Sequence, residues 1–242
     1  MTRARPLVLF TDFGAADLYV GQVKAVLSAR APRSPLIDAL HDAPAFGIAP
    51  AAHLLAALAA QYPTSAVFLA VVDPGVGGRR DAIVTEIEGR HFVGPDNGLL
   101  AILWQRARRR RSWRIAWRPG RLSSSFHGRD LFAPVAAALA TGRVPRGWLA
   151  PKAQPDVLLP AADLGRVIYI DHYGNAVTGL RFKNRSAVVK VGRRVLRYAR
   201  TFEEARGPFW YKNSMGLVEI AAPCASAARL LRLQVGTLVT LG

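Results

Sequence analysis

Two hydrophobic patterns alternate along the first 140 residues. Short continuous apolar runs at 7–10, 36–40 and 67–72 read as buried strands, the last of them β-branched and central. Between and after them, apolar positions recur at helical spacing over 17–28, 48–60, 99–110 and 131–140. The runs 82–87 and 91–93 flank Glu88-Gly89-Arg90, a hairpin signal. This alternation predicts an α/β layer fold with a mostly parallel central sheet over residues 1–160. The prolines Pro145, Pro151, Pro155 and Pro160 mark 143–160 as a linker. Beyond it, β-rich runs at 167–170, 187–191, 195–198, 217–221 and 238–241 are separated by turn residues. They predict a smaller β-barrel-like domain over 161–242.

Composition narrows the class. With 242 residues, 51% of them hydrophobic, the chain can bury a real core and is not disordered. The uncharged stretch 43–72 has the length of a membrane span. Pro44, Pro50, His53, Gln61, Pro63, Thr64 and Ser65 interrupt it, so it reads as helix, turn and buried strand. Cys224 is the single cysteine, which rules out an internal disulfide and a cysteine-rich zinc site. The N-terminus lacks a signal-peptide layout. A soluble cytoplasmic protein is expected.

The formal net charge of +17 points at first to nucleic acid. Its distribution argues otherwise. Residues 1–105 are net −1, 106–160 net +10 and 161–242 net +8. Of the 33 basic residues 28 are Arg, and Ala reaches 40, so a compositional bias accounts for much of the excess. The densest basic segment holds eight arginines between Arg106 and Arg121. Its bland reading is the solvated end of a helix.

Polar, glycine-rich turns collect where the parallel strands should end, which is where such sheets bind ligands. They are Thr11-Asp12-Phe13-Gly14 with Asp17, Asp73-Pro74-Gly75-Val76-Gly77 with Arg79-Arg80, Gly94-Pro95-Asp96-Asn97-Gly98, and Phe126-His127-Gly128-Arg129-Asp130. Each has a structural alternative. Asp12 suits a helix cap, Asp73-Pro74-Gly75 an ordinary turn, Asp96-Asn97-Gly98 a tight turn, and His127 a helix start. Neither nucleotide-loop glycine pattern occurs, and no carboxylate–histidine cluster has metal spacing, so no metal site is expected.

Taken in order, these turns resemble the S-adenosyl-L-methionine (SAM) hydroxide adenosyltransferases, the adenosine-forming SAM hydrolases related to the SAM-dependent fluorinase and chlorinase enzymes. Two further stretches join the likeness: Ile170-Asp171-His172-Tyr173-Gly174-Asn175 with Thr178, and Asn213-Ser214-Met215-Gly216 with Glu219. The resemblance covers nearly the whole chain. It implies hydrolysis of SAM to adenosine and L-methionine, by an activated water or hydroxide attacking ribose C5′. It implies an Asp73, Arg80 and His127 catalytic set, and no cofactor, SAM being the substrate. Halogenating relatives carry Tyr where Asp73 and His127 stand, which places this chain on the water-using side.

In chemical terms, His127 accepts a proton near pH 7, Arg80 stabilises hydroxide-like charge, and Asp73 positions water or His127. The resemblance also implies substrate-binding roles: Asp12 on the ribose hydroxyls, Phe46 against the ligand, Asp171 on the methionine ammonium and Ser214 on its carboxylate. Tyr173 would stack on adenine and Asn175 read its edge. It further implies a homotrimer with the site between subunits. There are departures. Gly179 stands where an Asn is common, and Pro223-Cys224-Ala225-Ser226 replaces an Asn-Arg-Gly-Ser type segment. The competing classes are a non-catalytic SAM or adenosine binder, a halogenase, and a basic nucleic-acid binder. No membrane partner is expected.

Overall fold

A computed structural model describes residues 4–242. The chain forms two compact units. One takes the chain up to Ala52 with Tyr62–Ala161; the other takes His53–Gln61 with Ala162–Gly242.

In the first unit, β1 (Leu7–Thr11) leads to α1 (Leu18–Arg30) and β2 (Leu36–Leu40). Helix α2 (Ile48–Leu58) and a 3-10 turn (Ala59–Gln61) are divided between the two units. Then come β3 (Val67–Val71), the hairpin β4 (Ala82–Ile87) and β5 (Arg90–Pro95), α3 (Ala101–Arg106) and β6 (Arg110–Ile115). A π-turn (Gly128–Phe132) opens α4 (Ala133–Thr141), and β7 (Leu149–Lys152) ends the unit. The sheet order is β2-β1-β3-β5-β4-β6-β7. It is parallel through β2, β1, β3 and β5, then antiparallel through β4, β6 and β7. The α/β class therefore holds, and the parallel half carries the polar turns.

Every residue of β1 and β3 is buried. That is why both read as unbroken apolar runs rather than alternating ones. Helices α1 and α4 pack together over one side of this sheet. Ala133, Ala136, Ala137 and Ala140 of α4 are buried, and their small side chains let the helix sit close to the strands.

Two expectations fail here. The helix expected over 99–110 stops at Arg106, and Arg110–Ile115 forms a strand instead. The carboxylate of Glu88 accepts the backbone N–H groups of Arg108 and Arg109, and Arg110 lies over the Trp104 ring while donating to its carbonyl. Residues 108–110 of the basic run thus hold the start of a strand beside the hairpin rather than ending a helix. The linker at 143–160 likewise contains β7. Pro151 sits there on the sheet's edge strand, where a missing N–H costs nothing.

The second unit is a seven-stranded sheet of order β14-β10-β11-β12-β13-β9-β8. Its strands are β8 (Leu164–Ile170), β9 (Ala176–Arg181), β10 (Val189–Val191), β11 (Arg194–Tyr198), β12 (Phe209–Lys212), β13 (Leu217–Ala221) and β14 (Thr240–Leu241). Helix α5 (Ala227–Leu231) lies between β13 and β14. Backbone bonds from Val167 to Thr237 and from Val239 to Gly165 bring the two ends of the sheet together, so it is nearly a closed barrel. Trp210, Val218, Ile220 and Val189 fill its core. Among the described residues no helix is long and apolar enough to cross a membrane.

Candidate active site

The first unit gathers its polar turns at one end of the parallel strands. One residue, Val72, separates Asp73 from the end of β3, and Asn97 fixes the turn there. Asn97 donates to the Val72 carbonyl at 2.9 Å, and its own amide oxygen accepts from Leu99 N–H. Asn97 is therefore structural, as one reading of its turn allowed. The loop after Asp73 turns back through Val76 N–H to Asp73 O and Gly78 N–H to Gly75 O. At Gly77 the backbone has φ +79°, and a Cβ there would lie 2.3 Å from the Ser124 carbonyl oxygen. Only glycine allows this loop to press on the segment before His127.

That closeness joins three side chains. Arg80 grips Asp73 with two donors: Nε reaches Oδ1 at 3.0 Å, and Nη2 bonds Oδ2. The same Nη2 contacts His127 Nδ1 at 3.1 Å. The Asp73 and Arg80 side chains are only 4% and 12% exposed, so the pair is shielded from water. Arg80 also lies over the Phe132 ring, and its Nη1 donates to the Asp81 carbonyl. A guanidinium only donates, so His127 Nδ1 must accept, and the imidazole is neutral with its proton on Nε2. Burial lowers the His127 pKa below its ordinary value. The positive charge of Arg80 pushes the same way, against the opposing charge of Asp73.

Asp73 and His127 line a cleft of about 370 Å³ together with Asp12, Phe46, Tyr19 and Phe126. Asp12 follows β1, and its carboxylate accepts the Phe46 N–H at 3.1 Å. Burial pushes the Asp12 carboxyl up, opposed by that bond. Asp12 is not the helix cap: Asp17 takes that role, accepting from Leu18 N–H at 2.6 Å. Phe46 is 75% exposed with φ +59°, an uncommon backbone for a bulky residue. Phe13, Tyr19 and Phe126 form an aromatic cluster with centroid separations of 5.2–6.0 Å. Sequence reasoning did not assign these three rings to the site. Their adjacency to the glycine turns was the available signal.

The second unit carries the other candidates. The Asp171 carboxylate accepts the Asn175 backbone N–H at 2.8 Å and its side-chain amide at 2.9 Å. Tyr173, 77% exposed, lines a cavity of about 490 Å³ with Asn175, Phe202, Cys224 and Ser226. Ser214 lies in the exposed turn between β12 and β13, outside both cavities. That turn is braced from below. Asn213 Oδ1 accepts from Met215 and Leu217 N–H, and buried Glu219 accepts from Asn213 and Tyr211. In the sequence Glu219 stands only as one member of a motif; its role as a brace is visible only in three dimensions. Among the described residues, no group of three or more His, Cys, Asp or Glu is placed to hold a metal ion.

Residues 7–147 match the model of the SAM hydroxide adenosyltransferase N-terminal domain, and residues 165–240 that of the C-terminal domain. The chain belongs to the SAM hydroxide adenosyltransferase family. Similar relatives carry the name (R)-S-adenosyl-L-methionine hydrolase. One from Thermus thermophilus is 40% identical, covering 98% of this chain and 99% of its own length. One from Salinispora arenicola is 36% identical, covering 96% and 95%. Among solved structures, an uncharacterized conserved protein from Thermotoga maritima superposes with a TM-score of 0.87 at 30% identity, covering 97% of this chain and 99% of that one. A conserved hypothetical protein from Thermus thermophilus gives 0.79 at 38%, covering 98% and 100%.

One departure of this SAM hydroxide adenosyltransferase chain has a structural reason. A Cβ at Gly179 would lie 2.6 Å from both Cβ and the carbonyl oxygen of Leu164. Strands β8 and β9 meet too closely there for an Asn. The other departure, Pro223–Ser226, lies at the cavity of the second unit, where Cys224 takes φ +52°.

Proposed function

We propose that this protein hydrolyses S-adenosyl-L-methionine to adenosine and L-methionine, with Asp73, Arg80 and His127 as its catalytic set. The observation that carries the reading is the bonded chain Asp73–Arg80–His127 at the wall of an aromatic, carboxylate-bearing cleft. The names of the relatives support the same reaction. The oxygen of water bonds to ribose C5′ as the C5′–S bond breaks. The bonding pair passes to sulfur, leaving a neutral thioether, and one proton is released. The leaving group needs no acid, so the work falls on the nucleophile.

The tautomer refines the role of His127. With Nδ1 engaged by Arg80, the imidazole offers Nε2–H to the cleft as a donor. His127 and Arg80 then hold a hydroxide-like oxygen and lower the free energy of its formation, rather than His127 taking the proton. Asp73 fixes the guanidinium and keeps the group close to neutral. The aromatic wall suits a sulfonium, which gains attraction from ring faces and would be repelled by an unpaired guanidinium. Asp12 receives the ribose hydroxyls and Phe46 lies against the ligand. In the second unit Tyr173 stacks on adenine and Asn175 reads its edge. Asp171 takes the methionine ammonium and Ser214 its carboxylate. The family resemblance supports a homotrimer whose sites are completed by a neighbouring subunit. Neither a metal nor an added cofactor enters this scheme.

The test is chromatography of SAM incubated with the purified chain. Adenosine and methionine in equal amounts, with one proton released per turnover, are expected. Tight SAM binding with no adenosine would replace the proposal by a binding protein. A halogenated nucleoside in the presence of halide would replace it by a halogenase.

A further inference from the structure

A third cavity, of about 410 Å³, opens at the far ends of α1 and α4. Arg30, the last residue of α1, Arg33 in the loop after it, and Arg143 just past α4 line it together with Ser34 and Thr141. Among the described residues no acidic side chain lines it, and none of the three arginines forms an ion pair. Three exposed guanidiniums around one concavity repel one another unless an anion sits between them.

Arginines at helix C-termini often serve to cap carbonyls, but among the described residues none of these three guanidiniums bonds one, and the end of α4 is already served. Ala31 N–H returns to Leu27 O, and Gly142 and Arg143 N–H return to Leu139 and Ala138 O. Thr141 Oγ1 donates to the carbonyls of Ala137 and Ala138. The guanidiniums are thus free for another partner. A second observation points the same way. Ser34 is 8% exposed, and its hydroxyl is buried with no hydrogen-bond partner. An unsatisfied buried hydroxyl is costly and asks for a reason.

We propose that this cavity is a binding site for a small multivalent oxyanion of the di- or triphosphate class. Guanidinium forks match phosphate oxygens in pairs, and three of them suit a ligand with several charges. The volume lies within the range of about 300–1,000 Å³ usual for ligand pockets. The site is separate from the cleft. Asp17 and Gly128, near the starts of α1 and α4, line the cleft, whereas the cavity lies at the helices' other ends. Thirteen residues of α1 put about 20 Å between them. The inference does not depend on the catalytic reading.

Calorimetric titration of the full chain with pyrophosphate tests it, with sulfate and a single-stranded oligonucleotide as comparators. Saturable binding of one pyrophosphate per chain, much tighter than sulfate, is expected. The R33E/R143E variant should bind at least tenfold more weakly. The R193E/R194E variant, altered on the exposed β10–β11 turn, should bind as the parent does. Ser34→Ala should also weaken binding while leaving the melting temperature unchanged or higher, which guards against a folding artefact. Several weak sites per chain, or equal losses in both arginine variants, would reduce the effect to general positive charge and overturn the site. Unchanged binding in Ser34→Ala overturns it as drawn. An oligonucleotide that outcompetes pyrophosphate through the same arginines would replace the small ligand by a polymer.

Discussion

Asp73→Asn is the most informative single change to the cleft. The substitution keeps the shape of the side chain and one acceptor oxygen but removes the charge that holds Arg80. In the parent, both carboxylate oxygens bond the guanidinium, which is 12% exposed, so its charge has little water to fall back on. A hydrogen bond to a charged group contributes about 1.5–3 kcal/mol. Losing one of the two as a determinant of guanidinium orientation corresponds, at 1.36 kcal/mol per decade, to about a 10- to 150-fold fall in kcat. Leaving Arg80 partly unpaired should also cost about 2–3 kcal/mol of stability, somewhat below the cost of breaking a buried pair outright. For a chain of this length that is a melting shift of about 4–12 °C. Adenosine release should therefore be measured where circular dichroism shows the variant fully folded. Asp73 raises the proton affinity of His127, so its removal should also move the acid limb of the rate profile to lower pH. A variant that is folded, within threefold of the parent in kcat and unchanged in pH profile would refute the claim that this carboxylate orients Arg80.

Three further outcomes are expected. The rate should fall as pH drops through a value below 6.5, because the lowered His127 pKa keeps the ring neutral down to that point and protonation places Nδ1–H against Arg80. The same sign applies to stability: the His127 contribution is present above pH 6.5 and is lost on acidification, readable as a falling melting temperature. Asp12→Ala should raise KM for SAM about tenfold or more, with a smaller effect on kcat, since it removes a ribose acceptor and the Phe46 N–H partner but no reacting group; initial-rate kinetics separate the two. Gly179→Asn should destabilise the second unit by several kcal/mol, because its side chain would overlap Leu164, and a thermal melt should show an early transition.

The order of most elements was legible because hydrophobic burial is written locally. Strands β1 and β3 are buried on both faces, so their sequences are apolar throughout, and their lengths are set by the polar turns that end them. The elements that escaped notice lack that signature. Strand β6 begins Arg-Arg-Ser; Glu86 of the neighbouring hairpin stands opposite Arg111, and Glu88 holds Arg108 and Arg109 just before the strand. Strand β7 contains a proline, and edge pairing tolerates it. Strand β9 is interrupted by Gly179 and β12 has only four residues, ending on Lys212, so their neighbours in the barrel define them.

The candidate site divides in the same way. The sequence alone supplied the residue types: carboxylates, an arginine and a histidine on glycine turns at strand ends, within motifs that resemble one family. It also determined that the +17 charge lies outside the first 105 residues, leaving the segment that carries Asp12, Asp73 and Arg80 nearly neutral. Tertiary structure decided how these groups meet. Asp73 and His127 are separated by 54 positions; the close approach of Gly77 to Ser124 brings their segments together, and Arg80 bridges them. The tautomer of His127, the aromatic wall and the unpaired Ser34 hydroxyl are likewise products of packing. Local sequence encodes which groups an element presents; which proton, ring or charge each one faces is set by segments distant in the chain, and that is physically a property of the fold.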